Sequence, residues 1–231
     1  MSWNSDYVKD DDVLDTCFSS GLWPFSVFDY NMWWGEQSED FKKFYPAQIL
    51  ETWHDIIFFW VIRMLLFWYE FTWETPFKKI YLHGLIKDKL GRKFSKSLWN
   101  WVDPLDMIEK YSSDAVRLWV SIWNTPWNDV KFDEANIEEN KIFINKLWNA
   151  TRFVYTNLFE KWEYKLDKIE VIEERLLKNY DILSFSEKWI LSKLKNLSDF
   201  VNKWMEEYNF SESWIELINF TKNDFCDYYI E

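Results

Sequence analysis

The sequence predicts an α/β unit followed by an α-helical bundle. A short apolar run at residues 80–82, which ends at His83 and Gly84, is typical of a buried parallel strand. A basic loop and two helices are predicted to follow that strand, and this order indicates α/β architecture. After about Asn136, apolar residues recur at helical spacing up to the end of the chain, which indicates the bundle.

Each predicted element has a local signal. Residues 10–46 are aromatic and punctuated by proline and glycine, which is typical of loops. The nearly continuous apolar run at residues 49–70 predicts a buried helix. Asp103 and Pro104 predict the cap and first turn of a helix, and Ser113 predicts the cap of the next one. The bundle is predicted from three sets of apolar residues: Ile137, Ile144, Leu147, Phe153, Val154 and Leu158; Ile190, Leu194, Leu197, Val201 and Met205; and Trp214, Ile218, Phe225 and Tyr228.

Composition and charge limit the functions that the chain can have. Its 231 residues are 48% hydrophobic and 29% charged, which is typical of a globular chain rather than a disordered one. The longest apolar run, residues 56–69, is interrupted by Arg63 and is too short to cross a bilayer, so we expect no membrane partner and a cytoplasmic location. The net charge of −12 argues against a protein that coats nucleic acid, so any RNA contact is expected to be local.

Cysteine and histidine are too few and too dispersed to predict a metal site. The chain has two of each, Cys17, Cys226, His54 and His83. None of them has the spacing of zinc ligands. We therefore expect no protein-bound structural metal and no disulfide framework.

The strongest local signal is the basic segment at residues 86–97, which reads IKDKLGRKFSKS. It holds five basic residues against one acid, in a chain that is acidic overall. A loop that contains Gly91 and presents Lys93 and Lys96 after a parallel strand can close on a polyphosphate, because such cations stabilise charge on phosphoryl oxygens. From charge alone, a solvated charge run on a surface loop is the commoner interpretation.

Residues 93–97, KFSKS, resemble the KMSKS loop of the class I aminoacyl-tRNA synthetases, with Phe94 where that family has methionine. The segment around the loop, residues 75–100, is similar along its whole length to the valyl-tRNA synthetases of this class. Residues 12–26, DVLDTCFSSGLWPFS, and residues 44–64 are similar too, and the segments NKLWNATRF and FCDYYIE continue the likeness to the end. The resemblance therefore covers essentially the whole chain.

The resemblance implies a fold, a reaction and partners. Residues 1–140 would be the C-terminal half of a class I catalytic domain, a partial Rossmann-type nucleotide-binding domain. Residues 141–231 would be the N-terminal part of a helical anticodon-binding domain. The complete enzyme would adenylate valine with ATP, which brings Mg²⁺, and transfer the valine to tRNA-Val. The HIGH motif of the first catalytic half does not occur here, so the chain is expected to be inactive without its missing N-terminal half.

The same resemblance implies site residues, position by position. Lys93 and Lys96 would be catalytic, since they would bind the β- and γ-phosphates of ATP and stabilise the departing pyrophosphate. Without the resemblance, Asp55 would be interpreted as a helix-surface acid and Trp60 as a core aromatic. The implied ATP-binding residues are Thr52, Trp53, Asp55, Lys93, Ser95, Lys96 and Ser97, and the implied valine pocket is formed by Cys17, Ile56 and Trp60.

Tryptophan is abundant and glycine is scarce, at 18 and 4 residues. Average usage of about 7% would give roughly 16 glycines in this length. Six tryptophans stand where the resembled family has glycine, and we hypothesise that they are glycines encoded by a recoded UGA codon. Such positions tolerate no large side chain, so the chain as written is predicted to fold poorly. The six are Trp53, Trp68, Trp73, Trp99, Trp123 and Trp127, whereas Trp23, Trp60, Trp148 and Trp189 match tryptophans of the family.

Two alternatives remain open. A class I synthetase for another amino acid would share most of these motifs, although the pocket segment at residues 15–23 favours valine. A truncated, non-catalytic tRNA-binding paralogue would keep the helical part without the chemistry. Cys17 stands where the family has a tryptophan in the pocket wall, and the sequence offers no account of that change.

Overall fold

The computed structural model describes residues 10–28, 37–123, 125–160 and 167–231, except the side chains of residues 159 and 160. The chain divides into two compact units, Met1–His83 and Gly84–Glu231. The domain boundary predicted near residue 140 falls inside a helix of the second unit, Glu134–Tyr155, and stays a prediction.

Two parallel strands and three helices make up the described part of the first unit. They are α1 Thr16–Ser26, α2 Glu39–Phe44, β1 Ala47–Trp53, α3 Ile62–Thr72 and β2 Phe77–His83. The strands pair in parallel, with Leu50 opposite Ile80 and Trp53 opposite His83. A 3₁₀ turn, His54–Ile56, and a π-helical segment, Ile57–Val61, lead from β1 into α3.

The core of the first unit forms where α1 packs on α3. Gly21 allows the close approach, since a Cβ there would lie 3.0 Å from the ring of Phe67. Trp68 is fully buried and donates a hydrogen bond from Nε1 to the Gly21 carbonyl at 2.8 Å, while Tyr45 stacks on its indole at 4.5 Å. The buried members of this cluster are Phe25, Phe41, Tyr45, Val61, Met64, Trp68 and Phe77.

Two predictions for this unit are partly wrong. The described part of residues 10–46 contains two helices as well as loops. A capping side chain marks the start of each helix: Asp15 accepts from Phe18 N at 2.7 Å, and Ser38 accepts from Phe41 N at 3.0 Å. The predicted helix at residues 49–70 begins as strand β1. A continuous apolar run fits a buried strand as well as a buried helix, and here pairing with β2 decides for the strand.

The second unit is mainly helical. Its described elements are β3 Ile86–Lys87, α4 Pro104–Tyr111, α5 Ser113–Trp123, β4 Val130–Lys131, α6 Glu134–Tyr155, α7 Ile169–Lys178, α8 Phe185–Glu206 and α9 Phe210–Asn219. A π-helical segment, Phe220–Ile230, continues from α9, and β3 pairs in parallel with β4. In the described residues after Asn136, the predicted helical character is confirmed.

Helix caps explain where the first helices of this unit begin. Asp103 caps α4 as predicted and accepts from Leu105 N at 2.8 Å. The cap predicted at Ser113 is wrong by one position, because Ser112 Oγ accepts from Ala115 N at 3.3 Å. Helices α4, α5 and α6 pack around a core of Tyr111, Ala115, Trp119 and Ile137.

Three of the six suspect tryptophans adopt left-handed backbone conformations. Trp73 has φ 59°, Trp99 has φ 52° and Trp127 has φ 68°. Only two other non-glycine residues in the described part of the chain share this region, Ser112 and Tyr208. Trp73 ends α3 and Trp99 ends a 3₁₀ turn, which are positions where glycine is preferred because it has no Cβ.

The other three suspect tryptophans show no such strain. Trp53 is extended, with φ −104°, and Trp123 is the last residue of α5. Trp68 differs most from the hypothesis, because its indole fills the core and is fully buried. The backbone therefore supports glycine at three of the six positions and is neutral at the others.

Gly84 is required for a close approach between two backbone segments. A Cβ at this position would lie 1.6 Å from the carbonyl oxygen of Asn128 and 2.9 Å from the amide nitrogen of Asp129. We expect Gly84→Ala to lower the free energy of unfolding by about 1–3 kcal/mol, measured by urea denaturation, because backbone atoms must shift. Gly21→Ala is the control, since the atoms nearest its added Cβ belong to the side chains of Phe67 and Arg63 and not to another backbone segment. Equal stabilities of the two variants would contradict this interpretation.

Candidate functional site

The candidate site is the basic segment that follows β3, residues 88–100, here called the lysine loop. It opens with a tight turn in which Asp88 N donates to Arg92 O and Gly91 N donates to Asp88 O, both at 2.8 Å. Gly91 has φ 79°, which only glycine adopts without strain. A bridge between Lys87 and Lys93 closes the turn, so the first lysine of the motif starts from an ordered backbone.

The carboxylate of Asp88 holds this turn together. One oxygen accepts from the backbone N–H of Leu90 at 3.0 Å and of Arg92 at 2.8 Å. The other accepts from Arg92 Nε at 2.8 Å and from Asn100 Nδ2 at 2.9 Å. The bond from Asn100, with those from Arg92, lowers the pKa of Asp88 from 3.8 to about 2, although desolvation acts the other way.

Protonation of Asp88 is expected to loosen the loop only in strong acid. A carboxyl whose pKa is lowered by folding stabilises the fold above its unfolded pKa, and this contribution is lost as pH falls through the folded pKa. We expect the ¹⁵N amide resonance of Arg92 to stay constant from neutral pH down to 3.8 and to shift as pH approaches about 2. The Asp88→Asn variant should lack the step, and a midpoint at or above 3.8 in the original chain would contradict the network.

The motif itself forms a short capped turn. Ser95 Oγ accepts from Ser97 N at 3.3 Å, and the two hydroxyls lie 2.7 Å apart. This caps the 3₁₀ turn Lys96–Leu98. Phe94, which replaces the family's methionine, points its ring at Trp101 and Phe132, with centroid distances of 6.4 and 6.1 Å. An apolar anchor thus lies between the two lysines.

Acidic residues pair with three basic residues of the region 86–97, namely Lys87, Lys89 and Arg92. Lys87 Nζ lies 2.5 Å from Asp129, and Lys89 Nζ lies 3.9 Å from Asp133. Arg92 pairs with Asp88, as described above. Lys93 and Lys96 are exposed, and Lys96 makes no ion pair with any described residue. Both motif lysines are therefore accessible to a ligand, and the Arg92–Asp88 pair helps to hold the loop.

Three of the implied ATP-binding residues, Thr52, Trp53 and Asp55, lie at or just after the end of β1 in the first unit. Thr52 is 3% exposed, and its hydroxyl makes no hydrogen bond with a described residue. Trp53 meets His54 edge-on at 5.2 Å. Asp55 lies in the 3₁₀ turn, exposed, with a carboxylate oxygen 2.9 Å from His54 Nε2. Of these residues, Asp55 is the one that a ligand can reach directly.

The implied valine-pocket residues lie on elements that the first unit packs together. Cys17 is on α1, and Trp60 is on the π-helical segment against which α1 packs. Ile56, which precedes that segment, is exposed. An ion pair that the sequence did not reveal fixes α1: Arg63 Nη1 lies 2.6 Å from Asp15, and this contact lowers the pKa of the Asp15 carboxyl.

The described ranges lack two kinds of feature. No three His, Cys, Asp or Glu side chains there are grouped to hold a metal ion. No helix there has both the length and the apolar character needed to span a bilayer.

The implied ATP-binding residues are divided between the two units. Ser95, Ser97 and the two motif lysines belong to the second unit, and Thr52, Trp53 and Asp55 belong to the first.

Two family models match the chain. The model of tRNA synthetases class I (I, L, M and V) matches residues 2–133, which is more than half of it. The chain belongs to the class I tRNA synthetases. The model of the anticodon-binding domain of tRNA ligase matches residues 187–231 of this class I synthetase chain. That stretch holds most of α8, all of α9 and the π-helical segment after it.

Among the class I synthetases, the chain is similar to valine-tRNA ligases. The chain is 45% identical over 230 residues to the valine-tRNA ligase of Bacillus cereus and 44% identical over 225 residues to that of Fervidobacterium nodosum. The matches cover 100% and 96% of this class I synthetase chain but 24% of each relative. The chain therefore spans about a quarter of the length of these relatives, and the sequence-based resemblance is confirmed.

Solved class I structures share the fold. A LeuRS of Agrobacterium radiobacter K84, in a ternary complex with tRNA, is 18% identical with a TM-score of 0.74, over 92% of this chain and 26% of that one. Methionyl-tRNA synthetase of Mycobacterium tuberculosis, in complex with methionyl-adenylate, is 21% identical with a TM-score of 0.62, over 78% and 33%. The predicted fold class, a partial Rossmann-type domain followed by a helical bundle, is confirmed.

Proposed function

We propose that this chain is the part of a valine-tRNA ligase that carries the lysine loop, and that the complete enzyme joins valine to tRNA-Val in the cytoplasm with ATP as the energy source. The observation that carries the proposal is the ordered lysine loop in a chain that is similar over its full length to valine-tRNA ligases. Residues 1–140 belong to the catalytic domain and residues 141–231 to the anticodon-binding domain. The N-terminal half of the enzyme is the required partner of this part.

Lys93 and Lys96 stabilise the leaving group of the first reaction step. In that step a carboxylate oxygen of valine bonds to the α-phosphorus of ATP, and the bond from this phosphorus to the pyrophosphate oxygen breaks. Negative charge builds up on the β- and γ-phosphates, and the exposed lysines lower its energy. Ser95 and Ser97 hold the turn that carries Lys96 and complete the phosphate contact. Mg²⁺ arrives with ATP, and no described residue is assigned to it.

The first unit supplies the remaining contacts. Asp55 is exposed and accepts hydrogen bonds from the ribose hydroxyls, while the buried Thr52 supports the strand end behind it. Cys17, Ile56 and Trp60 bound the valine side chain. The smaller Cys17 leaves more room than the family's tryptophan does, and nothing in the structure explains that substitution.

Trp53 conflicts with ATP binding unless its codon specifies glycine. An indole at this position occupies space that adenosine needs, and recoding of UGA as glycine would remove that conflict and the backbone strain at Trp73, Trp99 and Trp127. The nucleotide sequence of the gene tests this directly. UGA codons at Trp53, Trp99, Trp123 and Trp127, with UGG at Trp60, Trp148 and Trp189, are the expected pattern, and UGG at the first four positions would reject the hypothesis.

Valine-dependent exchange of pyrophosphate into ATP tests the proposed function. We expect the complete ligase that contains these residues to support exchange with valine and much more weakly with isoleucine or leucine. The 231-residue chain alone should show none, because the HIGH half is absent. Exchange driven best by another amino acid would establish a different class I specificity. No exchange by the complete enzyme would favour the non-catalytic paralogue.

A further inference from the structure

The two ends of the lysine loop are joined by a pair of side chains outside the five-residue motif. Asp88 opens the loop and Asn100 closes it, and their side chains are 2.9 Å apart. Asn100 also donates from Nδ2 to the Lys93 carbonyl at 3.2 Å and accepts from Ser95 N at 2.9 Å. The peptide groups on both sides of Phe94 are therefore held by one amide side chain.

The network uses nearly all the hydrogen-bonding capacity of its members. Asp88 has a side chain only 11% exposed and receives four donors. A carboxylate removed from water is costly unless it is paired and hydrogen-bonded in this way. It is also the single acid among the five basic residues of the segment. Its bonds go to two backbone N–H groups of the loop, to Arg92 Nε and to Asn100, so it stabilises the shape of the loop.

The left-handed residue before Asn100 belongs to the same arrangement. Trp99 has φ 52° and ends the 3₁₀ turn Lys96–Leu98. The next residue, Asn100, then reaches both the start of the motif and the opening turn. The loop is closed by contacts on its inner side, while the side chains of Lys93 and Lys96 remain on the exposed side.

We propose that Asp88 and Asn100 are positioning residues of the lysine loop, acting through the Lys93 carbonyl and the Ser95 N–H to hold Lys93 and Lys96 where the phosphates of ATP are bound. This inference rests on the proposed function. The adenylation step needs the two ammonium groups in a defined place, and a displacement of about 1 Å can cost roughly 10²-fold in rate. Fastening the backbone supplies that placement before ATP arrives.

Kinetics of the complete ligase test the inference. We expect Asn100→Ala and Asp88→Ala to lower kcat of valine-dependent exchange by about 10²-fold, with the KM for valine unchanged. Asn100→Asp should be more harmful than Asn100→Ala, because it places a second carboxylate beside Asp88. Asp103→Ala is the matched control, since it removes a carboxylate that caps α4 outside the loop. Unchanged kcat in Asn100→Ala and Asp88→Ala would overturn the inference.

A double-mutant cycle separates positioning from a general structural role. If Asn100 acts by placing the lysines, Lys96→Ala should cost less in the Asn100→Ala background than in the original enzyme. Fully additive effects would show that Asn100 does not act through the loop lysine, and would overturn the inference.

Trypsin cleavage after Lys93 and Lys96 provides a readout that does not depend on catalysis. We expect faster cleavage in Asn100→Ala than in Asp103→Ala, in folded protein, and equal rates would overturn the inference. If the original enzyme shows no valine-dependent exchange, the proposed function fails, while the cleavage rates still decide whether Asp88 and Asn100 hold the loop.

Discussion

Replacing Trp73, Trp99 and Trp127 by glycine is expected to stabilise the protein by about 3–6 kcal/mol in total, because each left-handed non-glycine residue costs about 1–2 kcal/mol. The three indoles are 73%, 93% and 67% exposed, so little buried apolar surface is lost with them. The contact most affected is the ring contact of Trp73 with Tyr69 at 5.6 Å. Urea denaturation of the single variants and the triple variant measures the effect.

Trp148→Gly is the matched control for this prediction. Trp148 is 68% exposed, like the three others, but it lies inside α6. Glycine in a helix interior is unfavourable, so this variant should lose about 0.5 kcal/mol. Changes of opposite sign in the free energy of unfolding, at the left-handed positions and at Trp148, would show that the stabilisation depends on backbone conformation. A triple variant no more stable than the original chain would contradict the assignment of these positions as glycine sites.

Trp68 is the position at which the recoding hypothesis and the packing of the core disagree. Recoding predicts glycine at this position, whereas the indole fills the core and donates to the Gly21 carbonyl. Removal of the indole leaves a cavity in the core, so Trp68→Gly is expected to lower the free energy of unfolding by about 3–5 kcal/mol. If the native gene encodes glycine at Trp68, the core around Tyr45 must pack differently from the arrangement described here.

Lys96→Ala is expected to lower kcat of valine-dependent pyrophosphate exchange in the complete ligase by about 10²–10³-fold, since removal of one group that stabilises developing charge has this effect. Lys96 is exposed and is engaged in no ion pair with a described residue, so its removal should leave the stability of the fold unchanged. Steady-state exchange kinetics with varied ATP, together with a thermal melting curve, measure both quantities.

Lys89→Ala is the control for charge alone. It removes one positive charge from the same segment, but its Nζ lies 3.9 Å from Asp133 and both side chains are well exposed, so the pair contributes little to stability. We expect its kcat to remain close to that of the original enzyme. Equal losses of kcat in Lys89→Ala and Lys96→Ala would contradict a specific role for Lys96. They would indicate a general electrostatic attraction between the basic segment and ATP.

Local patterns were enough for several parts of this protein. The helices after Asn136 were predictable because their apolar periodicity and caps are properties of neighbouring residues. The lysine loop was predictable because its residue types and spacing are themselves the motif. Asp88 carried a signal that could have been used, since it is the one acid in a basic segment. Asn100 carried no such signal, because its partners lie at both ends of the loop.

By itself the sequence determined the class I family, the order of an α/β part and a helical part, and the position of the lysine loop. Only the tertiary structure decided that residues 47–53 form a strand, because a parallel strand exists through hydrogen bonds to a distant partner, β2. It also decided that Lys87 pairs with Asp129 and that Lys89 lies near Asp133. Both depend on contacts between residues far apart in the chain, and no local pattern encodes them.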